Sequence, residues 1–177
     1  MAVPKTYGVL LFDSFTSLDA MGPLAYLNSL PDVQIHVIHD SHSPIPSGVN
    51  WPSADRFTGQ LYMPTHTIDE APELDVLVVP GGMGTRGLGA DRRWDQYVAK
   101  VYSNLKYLLS ICTGTSIVAR SGILDGRRAT TNKAAYRWVE SQGPRVNWVP
   151  EARWVIDGNI WTSSGELDCS SLHVLWA

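Results

Sequence analysis

An α/β fold with a mainly parallel sheet is predicted by three features of the sequence. Short, unbroken apolar runs recur along it: YGVLLF (7–12), VLVV within DVLVVPGG (75–82) and KYLLSI (106–111). Strands buried on both faces read this way. Segments with helical spacing separate these runs, the alternation expected of a parallel sheet. Each run also stops abruptly in turn-forming residues: Asp13-Ser14, Pro80-Gly81-Gly82 and Thr113-Gly114.

The elements follow in order. YGVLLF is the first strand. After it Leu18, Met21, Leu24 and Leu27 keep helical spacing, and Gly22-Pro23 is expected to set where a regular helix begins. VQIHVIHD (33–40) alternates and is the second strand, holding His36 and His39. Residues 41–60, rich in Ser, Pro and Gly, read as loops and irregular strands, and QLYMPTHTIDEAPEL as a short strand and a connection. DVLVVPGG is the clearest buried strand, and GMGTRGLGA a glycine-rich loop. DRRWDQYVAKVYSNL (91–105) is helical, with Asp91 as its cap and Trp94, Val98 and Val101 on one face. KYLLSI is the next strand and TGTSIVARSG the next helix, ended by Gly122. RRATT is a short strand and KAAYRWVESQG a helix ending at Gly143. VNWV and RWVIDGNIWTSS are short strands, with a hairpin turn at Asp157-Gly158.

The bulk numbers narrow the function. At 177 residues and 44% hydrophobic, the chain can build one core, and 18% charged residues argue against disorder. A net charge of −3 without a Lys/Arg cluster points away from nucleic acid and anionic membranes. No run reaches the roughly 20 apolar residues of a membrane span. The N-terminus lacks a signal-peptide pattern, so a cytoplasmic, reduced protein is expected. The two cysteines, Cys112 and Cys169, have no metal or redox spacing, and no metal or cofactor is expected.

In open α/β sheets the site lies beyond the C-terminal strand ends, which singles out three tips. Cys112 follows KYLLSI at a strand-to-helix turn. Such an elbow exposes one side chain, and the amides of the next helix lower a thiol pKa below its free value of about 8.5. The alternative is a buried, inert cysteine. Pro80-Gly81-Gly82 is either a strand terminator or an anion hole in which the amides of Gly82 and Thr113 pair. Asp19 is either a helix-capping carboxylate or a carboxyl group able to pass a proton beside the thiol.

Four segments carry a resemblance: LFDSFTSLDAMGP, LDVLVVPGGMG, LLSICTGTSIVARSGILDGRRATT and WTSSG. Together they resemble the DJ-1/PfpI (ThiJ/PfpI) superfamily, and LDAMGP with CTG is most similar to its isocyanide hydratase branch and fungal relatives. The resemblance implies a flavodoxin-like three-layer sandwich, related to class I glutamine amidotransferases, over residues 1–165. It implies Cys112 as nucleophile, Asp19 as its carboxyl partner, and Gly81, Gly82 and Thr113 around the substrate's developing charge. A small-molecule substrate and a homodimer are further implied. Where many members carry a histidine after ATT, this chain has Asn132, which cannot act as a general base. Residues 166–177 (ELDCSSLHVLWA) depart from the family's helical continuation and are expected to be an atypical tail. The expected activity is hydration of an isocyanide to an N-substituted formamide. Glyoxalase- or deglycase-like chemistry on reactive carbonyls, a cysteine redox sensor and an inactive paralogue are the alternatives.

Overall fold

A computed structural model describes residues 3–48 and 59–165. The expectations for residues 49–58, for the tail 166–177 and for Cys169 concern residues outside those described.

Strand β1 (Thr6–Leu10) leads into helix α1 (Ser17–Leu27), and β2 (Gln34–His39) returns beside β1 in parallel. Two-residue strands β3 (Ile45–Pro46), β4 (Leu61–Tyr62) and β5 (His66–Thr67) follow. Then come β6 (Val76–Val79), α2 (Arg93–Tyr102), β7 (Tyr107–Ile111) and α3 (Thr115–Arg120). The chain continues through β8 (Arg128–Ala129), α4 (Tyr136–Gln142), β9 (Asn147–Trp148), β10 (Trp154–Asp157) and β11 (Ile160–Ser163).

Seven strands form the main sheet in the order β10-β11-β7-β6-β1-β2-β5. All its pairs are parallel except the β10–β11 hairpin at one edge. The unbroken apolar runs are explained by this layout, because β1, β6 and β7 lie inside the sheet, and Val9, Leu77 and Leu108 are buried. Right-handed crossovers place the layers. The step from β1 to β2 runs opposite to the step from β6 to β7, so α1 covers one face and α2 the other. Helix α3 packs against α2 and α4. Arg120 Nε donates to both carboxylate oxygens of the buried Asp95, at 3.1 and 3.3 Å, which locks α2 to α3.

Four expectations change. Helix α1 begins at Ser17 and runs through Gly22-Pro23, with Pro23 buried inside it. Burial of Ala20, Pro23, Leu24 and Leu27 outweighs the local signal, although Pro23 has no N–H for the carbonyl of Asp19. The glycine-rich segment is a 3₁₀ stretch, Met83–Gly89. Asp91 does reach a backbone amide, that of Arg93 at 3.0 Å, but sits one residue ahead of the cap position. RRATT does hold a short strand, β8, as expected, and it joins β9 in a separate ladder. The β10–β11 turn is Gly158-Asn159, since Asp157 still pairs with Ile160. Gly122, with φ +84, follows α3 as expected.

Candidate active site

The order of strands makes β1 and β6 neighbours whose helices leave on opposite faces. This is the topological switch point where α/β sheets open a crevice. The tips after β1, β6 and β7 meet there. Thr16 N–H donates to the Gly81 carbonyl at 2.8 Å, and Phe15 forms a β-bridge with Gly82, joining the first two tips. Gly82 N–H donates to Thr113 Oγ1 at 2.9 Å, and that hydroxyl donates back to the Gly82 carbonyl at 3.1 Å, joining the second and third.

Cys112 occupies the elbow that the sequence suggests. Its φ is +55, left-handed for a residue with a side chain, a conformation costing of order 1–3 kcal/mol. Three hydroxyls hold it in place. Thr131 Oγ1 donates to the Cys112 carbonyl at 2.7 Å, Thr115 Oγ1 to the same oxygen at 3.2 Å, and Ser110 Oγ to Thr115 Oγ1 at 3.1 Å. These supports were not singled out from the sequence; the only trace is the density of small hydroxyl residues in SICTGT and ATT.

Asp19 is fully buried in the first turn of α1 and accepts the Gly81 N–H on Oδ2 at 3.0 Å. Gly81 stands between the two reactive groups. A Cβ there would lie 2.6 Å from Cys112 Cβ and 2.9 Å from Asp19 Oδ2, so only glycine lets thiol and carboxylate share this backbone. Asn132 and Gly165 close the other side. A Cβ on Gly165 would lie 3.3 Å from Cys112 Sγ and 3.6 Å from Asn132 Nδ2. Asn132 Nδ2 donates to the Ser164 carbonyl at 3.3 Å, and its Oδ1 accepts the Ala135 N–H at 3.0 Å, just ahead of α4.

The geometry corrects three expectations about the thiol. It is buried, not exposed, with 7% of Cys112 reached by solvent. A 3₁₀ turn, Cys112–Gly114, stands between the sulfur and α3, so the α-helix starts three residues later. Burial pushes the thiol up to about 12, the negative charge of Asp19 adds to the rise, and the Thr113 amide and hydroxyl oppose it. The expected depression below about 8.5 does not occur, because loss of water and a facing carboxylate outweigh two hydrogen bonds. Burial, the Asp19 charge and the hydrogen bond between the two side chains all favour the protonated thiol. The paired-amide anion hole also changes, since the Gly82 amide is engaged by Thr113 Oγ1, leaving the Thr113 amide on the sulfur side.

Among the described residues no group of three or more His, Cys, Asp or Glu side chains could hold a metal ion, and no helix is long and apolar enough to cross a membrane. His36 and His39 lie in β2, as read from the sequence.

The DJ-1/PfpI family model matches residues 5–173. The chain belongs to the DJ-1/PfpI family. It is 35% identical over 159 residues to the isonitrile hydratase of Pseudomonas putida, covering 89% of this chain and 64% of that protein. It is 36% identical over 92 residues to a deglycase of Pyrococcus abyssi, 52% of this chain and 53% of that one. A ThiJ/PfpI family protein from Pseudomonas syringae superposes with a TM-score of 0.78 at 28% identity, covering 97% of this chain and 68% of the other. The chain thus spans less than two thirds of the length of both named enzymes it resembles.

Proposed function

We propose that the protein hydrates isocyanides to N-substituted formamides, with Cys112 as nucleophile and Asp19 as the proton carrier. The observation carrying this reading is the elbow thiol facing the buried Asp19 carboxylate across Gly81. The 35% identity to an isonitrile hydratase supports the choice of substrate class. As the sulfur attacks the terminal carbon, the C–S bond forms and Asp19 takes the thiol proton. The electron pair of the broken C≡N π bond moves to nitrogen, the carbon keeps its own lone pair, and Asp19 returns the proton to that carbon. The product is a neutral thioimidate on Cys112. Water adds across its C=N bond, the nitrogen gains a proton, and collapse expels the thiol as the formamide C=O forms. A small substrate, a homodimer and a cytoplasmic setting belong to the same proposal.

The test is formamide production from cyclohexyl isocyanide, followed by mass spectrometry. Wild type turns over, while Cys112→Ser and Asp19→Asn fall by at least about a hundredfold, the lower range for a general acid–base group. Turnover persisting in Cys112→Ser overturns the mechanism. The partial match to a deglycase favours one second reading, action on reactive carbonyls. Loss of methylglyoxal by wild type, with isocyanides untouched, would select it.

A further inference from the structure

We infer that Ser163, at the C-terminal end of β11, holds the water that releases the product from Cys112, with Trp161 holding that water from its other side. This rests on the hydration reading above.

Register fixes where these side chains stand. Ser163 pairs with Ile111, the residue before Cys112, and Trp161 pairs with Leu109. Parallel neighbours in register project to the same face of a sheet, and faces alternate along a strand. Ser110 Oγ donates to Thr115 in the α3 layer, and Thr162 Oγ1 accepts the Thr130 N–H. Ile111, Trp161 and Ser163 therefore face the opposite side, the layer of α1, which carries Asp19. Two residues beyond Ser163, Gly165 abuts Cys112 Sγ.

Both polar groups are buried and unused. Ser163 is 7% exposed, and its Oγ and Trp161 Nε1 are buried with no hydrogen-bond partner among the described residues. Leaving such groups unpaired disfavours folding, and native structures keep few of them. A serine hydroxyl gives and accepts, an indole N–H gives, and a buried water needs two to four such partners. Residues two apart on one strand face have their backbones roughly 7 Å apart, and the long indole of Trp161 lets its N–H reach toward a water on Ser163, since two hydrogen bonds through one water span about 5.6 Å. The water so held lies on the Asp19 side of the elbow. Its oxygen adds to the thioimidate carbon and one of its protons goes to the nitrogen. Ser163 is thus a positioning residue, and its loss leaves the first C–S bond-forming step intact.

The experiment mixes wild type, Ser163→Ala and Trp161→Phe with cyclohexyl isocyanide and follows both formamide and intact protein mass. Ser163→Ala is expected to form the Cys112 adduct at a rate within threefold of wild type, to turn over at least tenfold more slowly, and to accumulate the adduct. Its melting temperature is expected to stay within about 2 °C of wild type, since the hydroxyl it loses holds a water and no protein group among the described residues. Trp161→Phe is expected to change in the same direction. Turnover within twofold of wild type without adduct accumulation in both variants overturns the role of Ser163 while the hydration reading stands. Lowered melting temperature with turnover and adduct formation reduced equally marks a structural role and also overturns it. Absence of both adduct and formamide in wild type overturns the hydration reading and this inference with it.

Discussion

The protonation of Cys112 governs how this cysteine behaves. A thiol at the end of an exposed elbow would ionise readily, but this one is pushed up to about 12, first by burial and then by the Asp19 charge. Removing that charge has a definite sign. Asp19→Asn keeps the size of the side chain and deletes the repulsion that disfavours a thiolate, so the thiol pKa falls. Below the pKa each unit of decrease gives about ten times more thiolate. Alkylation of Cys112 by iodoacetamide at pH 8 is therefore expected to be at least several-fold faster in Asp19→Asn than in wild type, while turnover falls. In wild type the alkylation rate should keep climbing with pH beyond 9 without a plateau. A plateau below pH 9, or slower alkylation in Asp19→Asn, would show that Asp19 does not hold the thiol up.

The elements deliver these residues by different routes. Asn132 stands where β8 has ended and α4 has not begun. One end of its amide caps the turn into α4 and the other ties down Ser164 at the end of β11. Asn132→Asp keeps the acceptor for Ala135 and loses the donor to Ser164, whereas Asn132→Ala loses both. The alanine variant is expected to lose about 1 kcal/mol of stability in urea titrations and up to about tenfold in activity. The aspartate variant is expected to retain more of the stability. Equal losses in the two would assign no weight to the cap. Such double use explains what the sequence could and could not disclose. The strands were legible because VLVV is apolar throughout and YLLSI nearly so, a pattern set by burial on both faces. Asp19, Gly81 and Cys112 were legible as turn residues at strand ends. The positive φ of Cys112 was not, because no neighbouring residue demands it; it is imposed by Thr131 and Thr115 from outside the elbow. The start of α1 was misread for a similar reason. Pro23 is a strong local breaker, and only the packing of α1 on the sheet overrides it. The engagement of the Gly82 amide by Thr113 is a contact across 31 residues, beyond any local pattern.

At the scale of the whole molecule, buried acids with raised pKa values couple folding to alkaline pH. Cys112, Tyr7 and Tyr97 are each raised from their ordinary values to about 12, with burial the leading cause for all three. In the unfolded chain these groups lose their protons near their ordinary values; in the folded chain they keep them to higher pH. The contribution is fully present below pH 9 and is lost as pH rises toward 12, because the unfolded state then binds fewer protons. Each such group steepens the loss by at most about 1.4 kcal/mol per pH unit within its window. Urea denaturation of wild type and Cys112→Ala between pH 8 and pH 11 isolates the thiol. The stability difference between them is expected to be constant near pH 8 and to shift steadily against wild type above pH 9. A difference that stays flat to pH 11 would mean that the folded thiol ionises like an unfolded one.

The closeness of the three strand tips has a consequence for how this protein can be remade. At Gly81 an added methyl would collide with both reactive residues, and at Gly82, where φ is +144, it would meet the backbone of Phe15 and Thr16 at 2.6 and 2.7 Å. The centre of the site therefore offers no room for laboratory evolution, and libraries that randomise it should return glycine. Leu18 and Met83 stand immediately beside Asp19 and Gly82 in the chain, yet they are 49% and 44% exposed. Variation there leaves the thiol–carboxylate pair undisturbed, so new substrate preferences should be sought at these two positions while the chemistry is left alone.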